Sequence, residues 1–248
     1  MTIVRRVLFH WRGRPIYSYP AMLYVGLLAA VATGNCVAHA TGLNAFRVYI
    51  AMIILIVPAI AGARLLHVAI HWRSYSQDKR RIWDRSEGGY GMYGGLPLVL
   101  LISVPVLYLM RLPFAAFWDV GVLSIFAGMI FARIGCLLNG CCCGRPSNAW
   151  FSISLPNADG VRVKRIPSPC LESIWAATLL VSGILVLHRM PFPGALFLFA
   201  CSGYAAGRLV LESFREYAGH SSKFNVHHAV SAAIIALAAI IFSAKWLR

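Results

Sequence analysis

The sequence has few charged residues, and acidic residues are the scarcest of them. Only 8 of the 248 residues are Asp or Glu, against 23 Lys or Arg, and charged residues make up 12% of the chain. A soluble domain of this length carries about twice that charged fraction. No long polar stretch is present that would hold a second hydrophobic core. These shortages exclude an ordinary soluble domain and predict a single integral membrane domain over residues 1–248.

The motifs of the common soluble classes are missing as well. The chain has no nucleophile elbow, P-loop or metalloprotease motif, and no zinc-finger spacing or base-stacking platform. The formal net charge of +15 therefore predicts contact with anionic phospholipid and not with nucleic acid. No cofactor or resident metal is expected. The seven cysteines do not indicate a secreted disulfide scaffold in so hydrophobic a chain.

The sequence does contain apolar runs long enough to cross a bilayer, which takes about 20 residues per helix. They predict an all-α polytopic membrane protein with about seven transmembrane helices. The runs cover residues 17–40, 46–71, 96–109, 117–138, 170–188, 194–214 and 228–246. The third run is short and interrupted by proline, so six helices is the alternative count. Alternating residues after the fourth run are typical of a β-hairpin and predict a small extramembrane cap over residues 141–169.

The segment ARIGCLLNGCCCGR, residues 132–145, lies where the fourth apolar run ends. Its arginine, Arg133, is costly at membrane depth unless an anionic or polar group compensates it, so it marks a functional site. A guanidinium binds phosphate through a planar pair of N–H donors. Snorkelling to the interface is the alternative interpretation of Arg133 alone. Together with Asn139 and Gly140, it predicts a membrane enzyme that handles a charged lipid headgroup.

The sixth apolar run carries polar residues at helical spacing, so that they share one helix face. They are Tyr204, Arg208, Glu212 and Arg215. An Arg208–Glu212 pair with a tyrosine one turn away is suited to binding an anionic headgroup, and a structural ion pair between helices is the alternative. Arg64, in the second run, is a third intramembrane arginine with the same two interpretations.

Four cysteines cluster in the sequence after the fourth run: Cys136, Cys141, Cys142 and Cys143. Three interpretations compete, namely small packing residues, a soft-metal or redox site, and a reactive thiol that carries an acyl or lipid group. Three consecutive cysteines cannot all face one metal ion. Packing is therefore favoured and a zinc site is disfavoured.

Residues 88–95 contain five glycines. Such a segment is tolerated at membrane depth only when it packs against protein or lines a wet cavity. Gly94 and Gly95 are candidates for contact with substrate. Tyr93 is the candidate there for proton transfer, because a neighbouring arginine would lower its pKa from the usual value near 10.

The order of these segments resembles the prolipoprotein diacylglyceryl transferase family. The matching segments are residues 62–65, 88–89, 94–96, 133–135, 139–140, 144–145, 167–168, 203–208, 212 and 214–215. The resemblance implies a seven-helix enzyme of the bacterial inner (plasma) membrane. Such an enzyme moves the diacylglyceryl group of phosphatidylglycerol to a lipobox cysteine thiol of a prolipoprotein and releases glycerol phosphate.

The resemblance also implies roles for individual residues. Arg133 and Arg208 would hold the lipid phosphate, and Asn139, Tyr204 and Glu212 would shape the site. Two alternatives remain open. One keeps the phospholipid donor with another acceptor or transferred group, and the other is a membrane redox or binding protein that uses the cysteines at 141–143.

The chain departs from the family pattern at five positions. Tyr93 and Ile166 stand where the family has histidine. The family has asparagine, glutamate and tyrosine at the other three positions, where this chain has Cys136, Cys141 and Leu171, respectively. The phosphate-binding arginines are thus kept while polar partners change, which predicts a divergent, cysteine-rich paralogue. The membrane orientation is open. The loops on the side of the N-terminus hold 15 Lys or Arg against 5 on the other side, which favours a cytoplasmic N-terminus, and the resemblance implies the opposite.

Overall fold

The computed structural model describes the chain except for residues 1–3, 77, 79–81, 83–91, 157–161, 215–225 and 247–248. The described part is mostly helical, with two antiparallel strand pairs. The helices are α1 Ser18–Ala40, α2 Ala45–Ile70, α3 Trp72–Tyr75, α4 Met92–Leu109, α5 Phe114–Asn139, α6 Ser168–Val186, α7 Ala195–Glu212 and α8 Val226–Trp246. The strands are β1 Val7–Trp11, β2 Arg14–Tyr17, β3 Ile153–Pro156 and β4 Arg162–Arg165.

Within the described residues, six helices are long and apolar enough to cross a membrane, and they are α1, α2, α5, α6 with the short 3₁₀ turn after it, α7 and α8. Helix α4 adds a shorter apolar stretch, Gly95–Leu109. Large apolar side chains on these helices are exposed, among them Leu28, Val57 and Leu101. Such exposure along helices of this length is typical of a surface that faces lipid. The predicted all-α polytopic membrane fold is therefore confirmed.

The chain divides into two compact units, one made of Met1–Gly34 with Trp118–Arg248 and the other of Asn35–Phe117. In the second unit α2 packs closely on α4. A Cβ added at Gly95 would lie 2.8 Å from the carbonyl oxygen of Ala59, so only glycine fits there. The end of the glycine-rich segment therefore packs against protein, as its composition predicts. A single membrane domain over the whole chain stays a prediction.

In the first unit, α5 is anchored to both α1 and α7. A Cβ added at Gly26 of α1 would lie 2.8 Å from the carbonyl oxygen of Gly128, so the two backbones approach closely, as small residues allow between membrane helices. The carboxylate of Asp119 on α5 accepts hydrogen bonds from the backbone N–H of Gly194 at 2.6 Å and of Phe197 at 2.8 Å. It thereby pairs N–H groups that the first turn of α7 cannot satisfy internally.

The predicted β-hairpin between α5 and α6 is confirmed, since β3 pairs antiparallel with β4. The chain at Gly144–Ser147 runs along β4, and Arg145 N–H donates to the carbonyl of Phe214 at the end of α7. This contact joins the end of α7 to the loop after α5. The β1–β2 hairpin was not predicted. It turns at Arg12 and Gly13, both with positive φ, and arginine is an uncommon residue for that conformation.

Candidate active site

A chain of four charged side chains links three helices of the first unit. Nε of Arg133, on α5, lies 2.7 Å from Oε2 of Glu172, on α6. The other carboxylate oxygen of Glu172 lies 3.5 Å from Nη1 of Arg208, on α7. Nη2 of Arg208 lies 2.5 Å from Oε2 of Glu212, one turn further along α7. Two cations and two anions therefore alternate between the helices.

The four charged side chains are largely buried inside the protein. Glu172, Arg208 and Glu212 are at most 5% exposed, and 16% of the Arg133 side chain is exposed. A lone charge in such a place would be strongly destabilising, and the alternation supplies each group with a counter-ion. The two guanidinium groups share Glu172, so one anionic group of similar size can contact both arginines at once. This is a suitable arrangement for a phosphate.

The residues next to Glu172 fix its position. Oγ of Ser173 donates to the carbonyl of Ile130 at 3.1 Å, which joins α6 to α5. Nε1 of Trp175 donates to the carbonyl of Gly203 at 3.2 Å, which joins α6 to α7. The indole fits because position 207 is glycine, since a Cβ there would overlap the ring. The register of α6 between its neighbours is thus determined within one turn of Glu172.

A cluster of thiols lies at the C-terminal end of α5, and the way in which the helix ends brings the thiols together. Helix α5 ends at Asn139, and Gly140 has a φ of 75°. Gly140 N–H then donates to the carbonyl of Leu137, and Cys141 N–H donates to the carbonyl of Cys136. This pair of hydrogen bonds is a Schellman motif, which reverses the chain at a helix end. Cys141 is thereby brought back over Cys136.

The thiols of Cys136, Cys141 and Cys142 all lie within 4.8 Å of one another, and we call them the three-thiol cluster. Hydrogen bonding with the other two thiols lowers the pKa of Cys141. The neighbouring Cys143 is oriented differently, because its thiol donates to the carbonyls of Gly140 and Cys141 at 3.8 Å. Burial raises the pKa of that thiol.

The cluster adjoins the charged site. Arg133 interacts electrostatically with Cys136 and Cys142 as well as with Glu172 and Tyr204. Tyr19, near the start of α1, interacts electrostatically with Arg133 and with all three thiols. A cation that can bind phosphate therefore stands next to thiols that are partly accessible.

The structure brings together several of the predicted site residues. Arg133, Arg208 and Glu212 form the charge chain. The ring of Tyr204 lies 6.4 Å from that of Phe126, and Asn139 hydrogen-bonds to the thiol of Cys141. Gly140 makes the turn that forms the cluster. Their roles in substrate binding and catalysis stay predictions.

The other predicted residues lie elsewhere or outside the described part. Arg64 is in the second unit, where its Nε donates to the carbonyl of Ile82 at 2.7 Å and its guanidinium lies 5.4 Å from the centre of the Tyr75 ring. Tyr93 and Gly94 lie in the first turn of α4, and the Tyr93 side chain is outside the described atoms. Arg215 lies outside the described residues.

Two residues of the site were missed as candidates, Glu172 and Tyr19. The signal for Glu172 was available, because the six apolar helices contain just three acidic residues and it is one of them. An acid inside a membrane span marks a functional site as strongly as an arginine does. Tyr19 had no such signal, since an aromatic residue at a helix start is common at membrane interfaces.

The apolar helices and the intramembrane charge chain define a multi-pass membrane protein with a polar site in its first unit. The family model described as prolipoprotein diacylglyceryl transferase matches residues 6–244. The chain therefore belongs to the prolipoprotein diacylglyceryl transferase family and is a transferase.

Individual relatives agree with this assignment. A phosphatidylglycerol–prolipoprotein diacylglyceryl transferase of Clostridium tetani is 26% identical over 254 residues, covering 99% of each chain. The enzyme of that name from Enterococcus faecalis is 26% identical over 86% of this chain and 80% of its own. One from Dehalococcoides mccartyi is 30% identical over 65% of this chain and 62% of its own.

Proposed function

We propose that the protein moves a diacylglyceryl group from phosphatidylglycerol to a cysteine thiol of a prolipoprotein, in the inner membrane of a bacterium. The relatives carry this donor and this acceptor in their names, and family membership extends over nearly the whole chain. The observation that carries the proposal is the pair of intramembrane arginines, Arg133 and Arg208, held by one shared carboxylate.

The reaction needs cations beside the phosphate. The bond between the glyceryl carbon and the phosphate oxygen breaks, and negative charge increases on the departing glycerol phosphate. Arg133 and Arg208 are suited to stabilise that charge, because preorganised donors in a site with little water act strongly on a developing anion. Both arginines are held by carboxylates before substrate arrives, so little reorganisation is needed.

The remaining residues support this step. Glu172 and Glu212 hold the two guanidinium groups in position beside the proposed phosphate site. Tyr204 stands one turn before Arg208 on α7, where a hydroxyl can donate to the lipid headgroup. Asn139 and Gly140 shape the side of the site next to the thiols.

The test is a transfer assay with the purified full-length protein, phosphatidylglycerol and a lipobox peptide, read by mass spectrometry. We expect a diacylglyceryl adduct on the peptide cysteine and release of glycerol phosphate. Arg133→Ala and Arg208→Ala should each lower the rate by at least about 100-fold, the usual cost of removing one donor to a developing anion.

Arg189→Ala serves as the matched control, because this arginine is exposed and lies just after α6, outside the charge chain. It should keep its activity. Glycerol phosphate released without a peptide adduct would contradict the assignment of the acceptor. Full activity in Arg133→Ala or Arg208→Ala would contradict the assignment of the phosphate site.

A further inference from the structure

We propose that Cys136, Cys141 and Cys142 bind a zinc ion, and that this ion takes up the acceptor thiol as its fourth ligand. The inference rests on the proposed function, because it describes how the acceptor of that reaction is held and activated. It adds a metal site that the sequence analysis did not expect.

The distances suit such an ion. Zinc binds cysteine sulfur at about 2.3 Å in a tetrahedron, which places two sulfur ligands about 3.8 Å apart. The three Sγ atoms lie within 4.8 Å of one another. Side-chain rotations that move the sulfur atoms by about 1 Å would bring them to the spacing of zinc ligands. Three thiolates are also a donor set that selects zinc and other soft metals over hard cations.

The argument against zinc from the sequence does not apply to this set. Three consecutive cysteines cannot converge on one ion, but the cluster leaves out Cys143. It takes Cys136 instead, from the last turn of α5, across the Schellman turn. The backbone of the cluster also contains a residue with a positive φ. Cys142 has a φ of 59°, a conformation that residues with a Cβ adopt only when the surroundings impose it.

The cluster leaves a ligand position for substrate. Among the described residues, the group of His, Cys, Asp and Glu that lies close enough to share one ion has three members. Catalytic zinc sites typically have three protein ligands and one position for water or substrate. Cys142 is exposed and Cys141 is partly exposed, so the fourth position can be reached from outside.

The neighbouring charges are compatible with the ion. Zinc with three thiolates carries one net negative charge, and Arg133 interacts electrostatically with Cys136 and Cys142. The same guanidinium lies 2.7 Å from Glu172 in the site proposed for the lipid phosphate. A thiol bound to the zinc would therefore stand beside the donor lipid.

The chemistry is an alkylation of sulfur. A thiol that coordinates zinc loses its proton, which passes to solvent, and remains bound as the thiolate. Its electron pair forms a bond to the glyceryl carbon of phosphatidylglycerol. The bond from that carbon to the phosphate oxygen breaks, and its electron pair leaves with glycerol phosphate. The thioether product carries no charge on sulfur, binds zinc weakly and is released, with no change in the oxidation state of any atom.

The first experiment measures the metal itself. Purified full-length protein is analysed for zinc, then stripped with a chelator and titrated with Co²⁺, whose thiolate complexes absorb strongly in the near ultraviolet. We expect stoichiometric zinc and this absorption in the wild type, and loss of both in Cys141→Ser and Cys142→Ser. Cys170→Ser is the matched control, since this half-buried cysteine lies in the first turn of α6 outside the cluster. Absence of bound zinc in the wild type, or equal binding by all variants, would overturn the proposal.

The second experiment tests the acceptor position. A lipobox peptide should shift the Co²⁺ absorption, and the same peptide with serine in place of its cysteine should not. Chelation should abolish the peptide adduct, and added Zn²⁺ should restore it. Co²⁺ absorption that does not change when the peptide thiol is added would overturn the proposed acceptor site while the transferase function stands. Transfer that continues after chelation would do the same. A thiol-dependent spectral shift without any adduct in the zinc-loaded protein would support the metal site and overturn the proposed function.

Discussion

Replacing Glu172 with glutamine removes the charge that Arg133 and Arg208 share while it keeps the size of the side chain. Removing one partner of a buried ion pair costs about 3–5 kcal/mol. Two features favour the lower end of that range. Arg208 retains Glu212 at 2.5 Å, and 16% of the Arg133 side chain is exposed, so part of its charge stays solvated. We therefore expect a loss of about 3 kcal/mol in the free energy of unfolding.

The assay is thermal unfolding in detergent micelles, followed by tryptophan fluorescence. For a protein of this length, a loss of 1 kcal/mol in the free energy of unfolding lowers the melting temperature by about 2–4 °C. Glu172→Gln should therefore melt about 6–12 °C below the wild type. Phosphatidylglycerol should relieve much of that difference, because its phosphate can replace the lost carboxylate as the counter-ion of Arg133. Diacylglycerol with the same acyl chains lacks the phosphate and should give no comparable relief.

Asp119→Asn is the matched control for this experiment. It also removes a buried acid from the first unit, but Asp119 binds backbone N–H groups of α7 and no arginine of the charge chain. Phosphatidylglycerol should therefore not rescue it. Equal rescue of both variants, equal rescue by diacylglycerol, or a melting temperature of Glu172→Gln within about 2 °C of the wild type would refute the reasoning.

Three further substitutions test the packing of the first unit. Asp119→Asn should cost about 1.5–3 kcal/mol in the same melting assay, because the amide keeps one acceptor for two N–H groups, and an unchanged melting temperature would contradict its capping role. Gly207→Ala should cost about 1–3 kcal/mol, because the new methyl group overlaps the Trp175 indole, whereas a stable variant would show that α6 and α7 are less tightly packed. Gly144→Ala should slow transfer by displacing the loop that carries the thiols, because the new Cβ would lie 2.6 Å from the carbonyl oxygen of Phe214. A wild-type transfer rate in this variant would contradict the link between the position of this loop and transfer.

The helices could be predicted from the sequence because bilayer thickness sets their length. The runs at residues 17–40 and 194–214 became Ser18–Ala40 and Ala195–Glu212, with ends displaced by at most two residues. The pair Arg208–Glu212 followed from spacing alone, because residues four apart always share a helix face. Local periodicity was sufficient for these features.

The contacts of Glu172 could not be predicted in this way. They depend on the register of α6 between α5 and α7, which is set by the Trp175 indole against glycine and by the Ser173 hydroxyl. The thiol cluster depends on the residue at which α5 ends. An apolar run does not locate a helix end to within one residue, and it is the end at Asn139 that makes the carbonyl of Cys136 the partner of the Cys141 N–H.

The ion pair between Arg133 and Glu172 also has a consequence for how the chain is made. The ribosome completes α5 well before α6, because residues 140–167 lie between them. During that interval Arg133 has no carboxylate from α6. A lone arginine costs about 2.5–3.5 kcal/mol on insertion at the centre of a span and less towards the end, where Arg133 lies. Helix α7 differs, since Arg208 and Glu212 are synthesised within one turn of each other. Insertion of α5 should therefore become more favourable once α6 emerges and supplies Glu172 as the counter-ion of Arg133.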